Sequence, residues 1–168
     1  MEADKRMSDH ESRLDQEILH LLSTRPSGAL GTLQGDGSPA VSMTHFALDP
    51  SSGRIVLHAS ALAPHTENMR VDPRVSLMVH APGDDAAAGS RARVTVQAHA
   101  RFLEPGSPEW QNCRAAYLAR FPESESLTAL LDYAFVALEA RHAHQTSAYG
   151  ASRTMSGAGL TPLLAPLP

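Results

Sequence analysis

The chain of 168 residues has the length of one domain, and its 42% hydrophobic content is typical of a globular protein. A net charge of −4 argues against general nucleic-acid binding through a basic face, and no apolar run approaches the length of a membrane span. The charged start at residues 1–6 lacks the apolar core of a signal peptide, and the single cysteine, Cys113, cannot form an internal disulfide. These features predict a cytoplasmic protein.

The first predicted element is a helix at residues 8–25, which follows a loose end at residues 1–7. Ser8 and Glu11 have the spacing of a capping box, in which each side chain bonds the exposed backbone N–H of the other residue. Four apolar residues then fall on one helical face, namely Leu14, Ile18, Leu21 and Leu22. We expect this helix to pack on the rest of the fold and to end before Pro26.

Alternating apolar residues and turn signals predict six antiparallel strands with helices around them, a mainly β fold. The predicted strands are residues 28–33, 39–48, 54–59, 74–80, 93–102 and 133–140. The turn at residues 35–37 contains Asp-Gly, which supplies the backbone angles of a hairpin. The strand at 39–48 has no cleanly polar face, which indicates a strand partly covered on both sides, as at a subunit contact.

Two further helical segments and a tail complete the domain. Ser107-Pro108 begins a helix, with Ser107 as the N-cap and Pro108 in the first turn. One face of this helix carries Trp110, Cys113, Tyr117 and Phe121. Cys113 is therefore predicted to be a core residue and not a nucleophile. A second short apolar helical face is predicted from Leu127, Leu130 and Leu131. Residues 81–90 are expected to form a loop, the domain to end near residue 150, and residues 151–168 to be a flexible tail whose scattered leucines are available to dock on a partner.

The stretch from His58 to His80 is the most informative part of the chain. It begins as the end of a strand and becomes a short polar helix, which stops at Asp72-Pro73 because the residue before a proline avoids the helical region. The first N–H groups of a helix lack partners and the helix dipole is positive there, so this arrangement suits an anion. Further donors are offered by Ser60, His65, Thr66 and Asn68. The alternative for these residues is an ordinary helix cap followed by a solvated helix face.

The same stretch resembles a known signature. Ser60-x-Leu62-Ala63-x-His65-Thr66-x-Asn68, followed by Asp72-Pro73-Arg74-x-Ser76-Leu77, is similar to the pattern of the pyridoxamine 5′-phosphate oxidase-like FMN-binding split barrels. The resemblance extends over most of the chain and is nearest to the branch that contains the haem-utilisation proteins. It implies a six-stranded antiparallel split β-barrel that forms a homodimer with FMN at the subunit interface.

The resemblance also implies where FMN would bind. The phosphate would lie near Ser60, His65, Thr66 and Asn68. The flavin ring would lie near Ser42, Met43, Thr44, His58 and Ala59, with Gln97 as a further polar contact. For Ser42, Thr44 and Gln97 the alternative is ordinary strand polarity.

Haem is the alternative cofactor. In the haem-degrading relatives a histidine near the C-terminus binds the haem iron, and His142 and His144 lie near the equivalent region. However, the glycine-phenylalanine-glycine pattern of the family is replaced by Ala148-Tyr149-Gly150, and no histidine follows His144. The nine histidines show no zinc-site spacing, so no other metal site is predicted.

Three hypotheses follow. The first is an FMN-binding oxidoreductase that acts on a small-molecule substrate or electron donor, with no catalytic side chain assigned. The second is a haem-binding or haem-degrading protein, and the third is a non-enzymatic binding module that has kept the barrel and lost the flavin. Arg153 is the only basic residue after Arg141, which argues against pyridoxamine 5′-phosphate oxidase activity, since the phosphate of that substrate requires more cations.

Overall fold

The structure is a computed structural model that describes residues 2–83, 89, 91–148 and 150–165, with side chains from residue 11 onward. Its helices are α1 (Glu2–Thr24), α2 (Pro64–Val71), α3 (Pro108–Arg120) and α4 (Gly157–Leu164). Its strands are β1 (Ser27–Leu33), β2 (Pro39–His45), β3 (Ala47–Asp49), β4 (Arg54–Ser60), β5 (Arg74–His80), β6 (Arg93–Phe102), β7 (Tyr133–Thr146) and β8 (Ser152–Ser156). Short 3-10 turns at Pro122–Ser124 and Leu127–Ala129 connect α3 to β7.

The strands form one antiparallel sheet in the order β2-β1-β5-β6-β7-β4-β3, and β8 pairs with the second half of β7. The strands at the two ends of this order, β2 and β3, are separated in the chain only by Phe46, whose N–H bonds the carbonyl of Pro26. The sheet is therefore strongly curled, and the chain has the predicted split-barrel fold with peripheral helices. The described residues form eight strand segments where six were predicted, because the second strand breaks at Phe46 and the C-terminal segment adds β8.

The apolar residues bury on two sides of the sheet. The inside of the curl is filled by strand residues such as Leu57 and Leu77, and α1 covers it with the four residues predicted to face inward. On the other side of β4 and β7, α3 packs Cys113, Tyr117 and Phe121 against Phe135. Ser107 accepts a hydrogen bond from the Trp110 N–H at the start of α3, which confirms the predicted cap.

Helix α1 begins earlier than the sequence predicts. It starts at Glu2, so Ser8 and Glu11 lie inside the helix and the predicted capping box is wrong. The residues before Ser8 include alanine, glutamate, lysine, arginine and methionine, which are good helix formers. The favourable helix propensity of these residues extends the helix past the predicted start.

The predicted tail is instead part of the domain. Strand β8 pairs with residues 142–146 of β7, and α4 buries Leu160 and Leu164 in the main core. The free edge of β7 attracts a strand because its unpaired N–H and C=O groups need partners. Residues 166–168 lie outside the described part of the chain.

Two smaller predictions have different outcomes. The apolar helical face expected at residues 127–131 is wrong, because only a 3-10 turn forms there and Leu127, Leu130 and Leu131 are exposed. Thr128 is the buried residue of that turn, and its hydroxyl donates a hydrogen bond to the Glu125 carbonyl. Most of the loop predicted at 81–90 lies outside the described residues.

Candidate functional site

The connection between β4 and α2 is organised by Ser60 and Thr66. The Ser60 hydroxyl accepts a hydrogen bond from the Leu62 N–H (3.2 Å), so it caps the turn before α2 and is not the helix cap. The N-cap position belongs to Ala63, which makes no side-chain cap bond. Thr66 is buried, and its hydroxyl donates to the Ser60 carbonyl (2.6 Å), which ties the first turn of α2 to the end of β4.

Asn68 and His65 tie the same helix to the first hairpin. Asn68 is buried and its Nδ2 donates to Thr32 Oγ1 of β1 (2.9 Å). His65 Nδ1 and Ser42 Oγ of β2 are hydrogen-bonded at 3.0 Å. Burial lowers the pKa of His65, which favours the neutral form of the imidazole. The structure therefore brings together Ser42, a predicted flavin contact, and His65, a predicted phosphate contact.

Thr44 and Met43 lie on opposite faces of β2. Thr44 is buried and its hydroxyl donates to the His45 carbonyl (3.2 Å). Met43 points the other way and is 67% exposed. Successive residues of a strand alternate between its two faces, so these two neighbours cannot contact the same flavin face.

His58 and Ala59 are separated in the same way. Ala59 lies in the main core, whereas His58 packs among aromatic rings beneath α3. The His58 ring centroid lies 4.6 Å from that of Phe135, 4.8 Å from that of Tyr133 and 5.4 Å from that of Tyr117. Burial lowers the pKa of His58 to about 4. The ten residues predicted to bind FMN thus lie on several sides of the sheet.

The remaining predicted residues lie on what we call the outer face, the side of β2, β1, β5, β6, β7 and β8 turned away from the main core. The strand register places two rows of side chains across it. One row contains Val41, Gly31, Ser76, Gln97 and His142, and the next contains Met43, Ala29, Met78, Thr95 and His144. Gln97, His142 and His144 are exposed there.

A β-bulge in β7 decides which residues reach the outer face. Ala98 pairs with Ala140 but Gln97 pairs with His142, so Arg141 is the extra residue. Without the bulge, strict alternation from Ala140, which packs against the core, would turn both His142 and His144 inward. The bulge therefore places both imidazoles, together with Arg141, outside.

A groove of about 430 Å³ opens on the outer face where β1 and β5 separate. Their pairing ends at Gly31 and Ser76, while β1 continues along β2 to the hairpin. Apolar walls come from Leu33, Pro39, Ala40 and Val41, and the basic groups are Arg74, His99 and Arg141. Arg74 is bound by Asp72 (Nε to Oδ1, 2.9 Å), and Arg141 Nη2 lies 3.2 Å from His99 Nδ1.

A smaller cavity of about 200 Å³ adjoins this groove and shares Gln97 with it. It is lined by Thr95, Gln97, His142, His144 and Thr154. His144 Nδ1 is hydrogen-bonded to Thr154 Oγ1 at 3.0 Å, so its Nε2 is the nitrogen available to a ligand. The sequence analysis missed Thr154, Arg141 and His99 as site residues, because Thr154 lay in the predicted tail and the bulge leaves no signal in the sequence.

The chemistry of these residues fits a large, mostly apolar and anionic cofactor. Imidazole is a ligand for haem iron and guanidinium pairs with carboxylate or phosphate, while the groove walls offer apolar contact. Among the described residues no group of three or more histidine, cysteine or acidic side chains could hold a metal ion. Burial raises the pKa of the Cys113 thiol to about 12, so it fits the predicted core role.

Comparison with known proteins then places the chain. A sequence profile described as pyridoxamine 5′-phosphate oxidase matches residues 14–147. The chain belongs to this family. Within it, several relatives and solved structures similar to this chain are named as haem proteins, so the branch predicted from the sequence is confirmed.

The haem oxygenase HutZ of Vibrio cholerae is 30% identical over 149 residues, which are 88% of this chain and 84% of that protein. Its crystal structure, in which HutZ is described as a haem storage protein, matches with a TM-score of 0.65 and 29% identity, and covers 74% of this chain and 88% of that chain. The chloroplast haem oxygenase HOZ of Arabidopsis thaliana is 29% identical over 65% of this chain but only 33% of that protein.

A haem-binding protein from Mycobacterium smegmatis matches with a TM-score of 0.79 and 25% identity over 89% of this chain. The chain spans only 60% of the length of that protein. Within the described residues, no helix is long and apolar enough to cross a membrane.

Proposed function

We propose that this member of the family binds haem on the outer face, with His142 or His144 as the iron ligand. The observation that carries the proposal is the position of two exposed imidazoles beside an apolar groove that contains a guanidinium group. It agrees with the naming of its relatives from Vibrio and Mycobacterium as haem proteins.

Each part of the groove matches a part of haem. The apolar wall formed by Pro39, Ala40 and Val41 can contact the macrocycle. Arg141, which the bulge turns toward His99, can pair with a propionate carboxylate. When haem is bound, its iron supplies the redox and oxygen chemistry, while the chain binds it, orients it and limits its access to water.

FMN is the second candidate, because Ser42 and His65 lie together next to the start of α2 as an anion site would require. It ranks below haem because two of the predicted phosphate donors are engaged inside the chain. The Thr66 hydroxyl donates to the Ser60 carbonyl, and one N–H of Asn68 donates to Thr32.

We also propose that a second copy covers the outer face, so that the ligand lies at the subunit interface. Val41 and Met43 are 75% and 67% exposed on the edge strand β2, and Met78 lies in the same row of the face as Met43. Apolar side chains grouped in this way mark an association surface more often than a free one.

The test is a titration of metal-free protein with haemin, followed by gel filtration and a visible spectrum, with FMN titrated in parallel. We expect a Soret band that stays with the protein, and we expect His142→Ala or His144→Ala to weaken haemin binding at least tenfold. His80→Ala removes another exposed imidazole of the same face and should leave haemin affinity unchanged. A protein that retains FMN but not haemin, or haemin binding that survives the double variant His142→Ala/His144→Ala, would contradict the proposal.

A second measurement separates storage from degradation, since the Vibrio relative is described both as an oxygenase and as a storage protein. The haem-loaded protein is treated with ascorbate in air. Loss of the Soret band that depends on His142 or His144 would indicate an enzyme, whereas a stable band would indicate binding alone.

A further inference from the structure

We infer that His142 and His144 also form a chelate for a free divalent transition-metal ion, a site that does not require haem binding. The two residues are two positions apart on β7 and point to the same face, which puts their Cα atoms about 6.6 Å apart. Both imidazoles are exposed and line the same 200 Å³ cavity. Two flexible side chains at this separation can reach one ion at the usual metal–nitrogen distance of about 2.0 Å.

The structure already orients one of the two ligands. The hydrogen bond between His144 Nδ1 and Thr154 Oγ1 restrains the ring and leaves Nε2 as the nitrogen available to an ion. Partners that bond the second ring nitrogen are a regular feature of metal-binding histidines, because they set the tautomer and the ring orientation. Thr154 lies on β8, so the C-terminal segment is part of this site.

The surroundings leave room for an ion. The guanidinium of Arg141 is held near His99, and the other lining residues, Thr95 and Gln97, are neutral and carry oxygen atoms. We assign the two imidazoles as the nitrogen ligands of the ion. Water then completes the coordination, so the ion is exchangeable. Imidazole suits Cu²⁺, Ni²⁺ and Zn²⁺, and Cu²⁺ binds tightest in that series.

The experiment titrates haem-free, chelator-washed protein with CuCl₂ by calorimetry and records the electron paramagnetic resonance spectrum of the copper. We expect one site of higher affinity than the background, with coupling to two nitrogen nuclei. His142→Ala or His144→Ala should weaken that site about 10- to 100-fold, because a chelate gains its affinity from the second, intramolecular contact. Thr154→Val should weaken it less, and His80→Ala should leave it unchanged.

Copper affinity that is the same in His142→Ala, His144→Ala and the unmodified protein would overturn the inference. The exposed position of both histidines makes unfolding of the variants unexpected, and melting curves check it. Failure here is distinguishable from failure of haem binding, because the haemin titration uses metal-free protein and the copper titration uses haem-free protein. If both proposals hold, added Cu²⁺ should displace haemin in proportion to its occupancy of the pair, a result that rests on the proposed function.

Discussion

The polar side chains of α2 connect secondary-structure elements within the chain. Thr66 binds the end of β4 and Asn68 binds β1, and both side chains are buried. A typical hydrogen bond between two buried polar groups stabilises the fold by about 1 kcal/mol. Removing one of the two groups costs more, because the other is left buried without a partner. The pattern that resembles a phosphate site therefore has a structural role as well, since it holds the helix against the barrel.

Replacing Asn68 by alanine should lower the free energy of unfolding by about 1–3 kcal/mol, because the Thr32 hydroxyl loses its buried partner. Glu67→Ala, at an exposed position of the same helix, should change it by less than about 0.5 kcal/mol. Urea unfolding measures both variants. Haemin affinity should be unchanged in folded Asn68→Ala, and a large loss of FMN affinity without loss of stability would instead support the phosphate site.

His58 should make stability depend on pH. The pKa of His58 is about 4 in the folded chain and about 6.5 in the unfolded chain, so the unfolded state takes up the proton first. The contribution of the neutral ring is fully present above pH 6.5 and is lost as the pH falls from 6.5 to 4. Because the ring is only partly buried, we expect a loss of about 1–2 kcal/mol after allowance for solvent screening. Thermal melts between pH 4 and 8 measure this loss.

The matched variant for this measurement is His58→Phe, which keeps an aromatic ring among Tyr117, Tyr133 and Phe135. Its stability should fall less steeply over the same pH range. Parallel profiles for the two proteins would show that other groups cause the pH dependence.

At the scale of elements, the C-terminal segment builds one side of the candidate site. Strand β8 supplies Thr154 to His144, and α4 fixes β8 by packing on β7. Arg153 also joins this segment to Gln145 (2.9 Å), whose amide donates to the Leu14 carbonyl of α1 (2.9 Å). The ends of the chain are thus joined through β7, next to the two histidines.

The contact between α4 and the bulge can be tested with two glycines. A Cβ atom at Gly157 would lie 1.8 Å from the Ala140 carbonyl oxygen, whereas at Gly159 the nearest atom, Ser156 Oγ, would be 3.7 Å away. Gly157→Ala should therefore destabilise the fold by about 2–3 kcal/mol or release α4. Gly159→Ala should be neutral or slightly stabilising, because alanine favours a helix. Thermal denaturation distinguishes them, and equal melting temperatures would contradict the close packing of α4.

At the scale of the whole molecule, the outer face combines the candidate ligand site with the large exposed apolar side chains of β2. A second copy packed there would bury Val41 and Met43 and enclose the groove. The two functions of the face, binding and association, are then expected to be coupled.

Val41→Lys should weaken self-association at least tenfold, because a charge would be buried in the interface. Leu131→Lys places the same charge at a fully exposed leucine away from β2 and should leave association unchanged. Sedimentation velocity over a range of concentrations measures both. A monomeric unmodified protein, or a dimer broken by Leu131→Lys alone, would contradict association through the outer face.

Local signals in the sequence determined most of the elements. The apolar face of α1, the cap of α3 and the stop at Asp72-Pro73 were predicted correctly, because each depends on residues within one or two turns of each other. The family signature determined the split barrel. The signature did not determine the site. It identifies residues, but it does not show which of their side chains are hydrogen-bonded within the chain, as those of Thr66 and Asn68 are.

The tertiary structure decided the rest. The outward position of His142 and His144 depends on one extra residue in β7, and a strand pattern with two possible registers cannot reveal it. The folding of residues 152–164 into β8 and α4 depends on the free edge of β7 and on the space beside Ala140, which are properties of the assembled sheet. The buried partner of Asn68, Thr32, lies on β1, 36 residues away in the chain. Contacts between residues far apart in the chain set all three, and for that reason the sequence could name the elements while only the folded chain could assemble the candidate site.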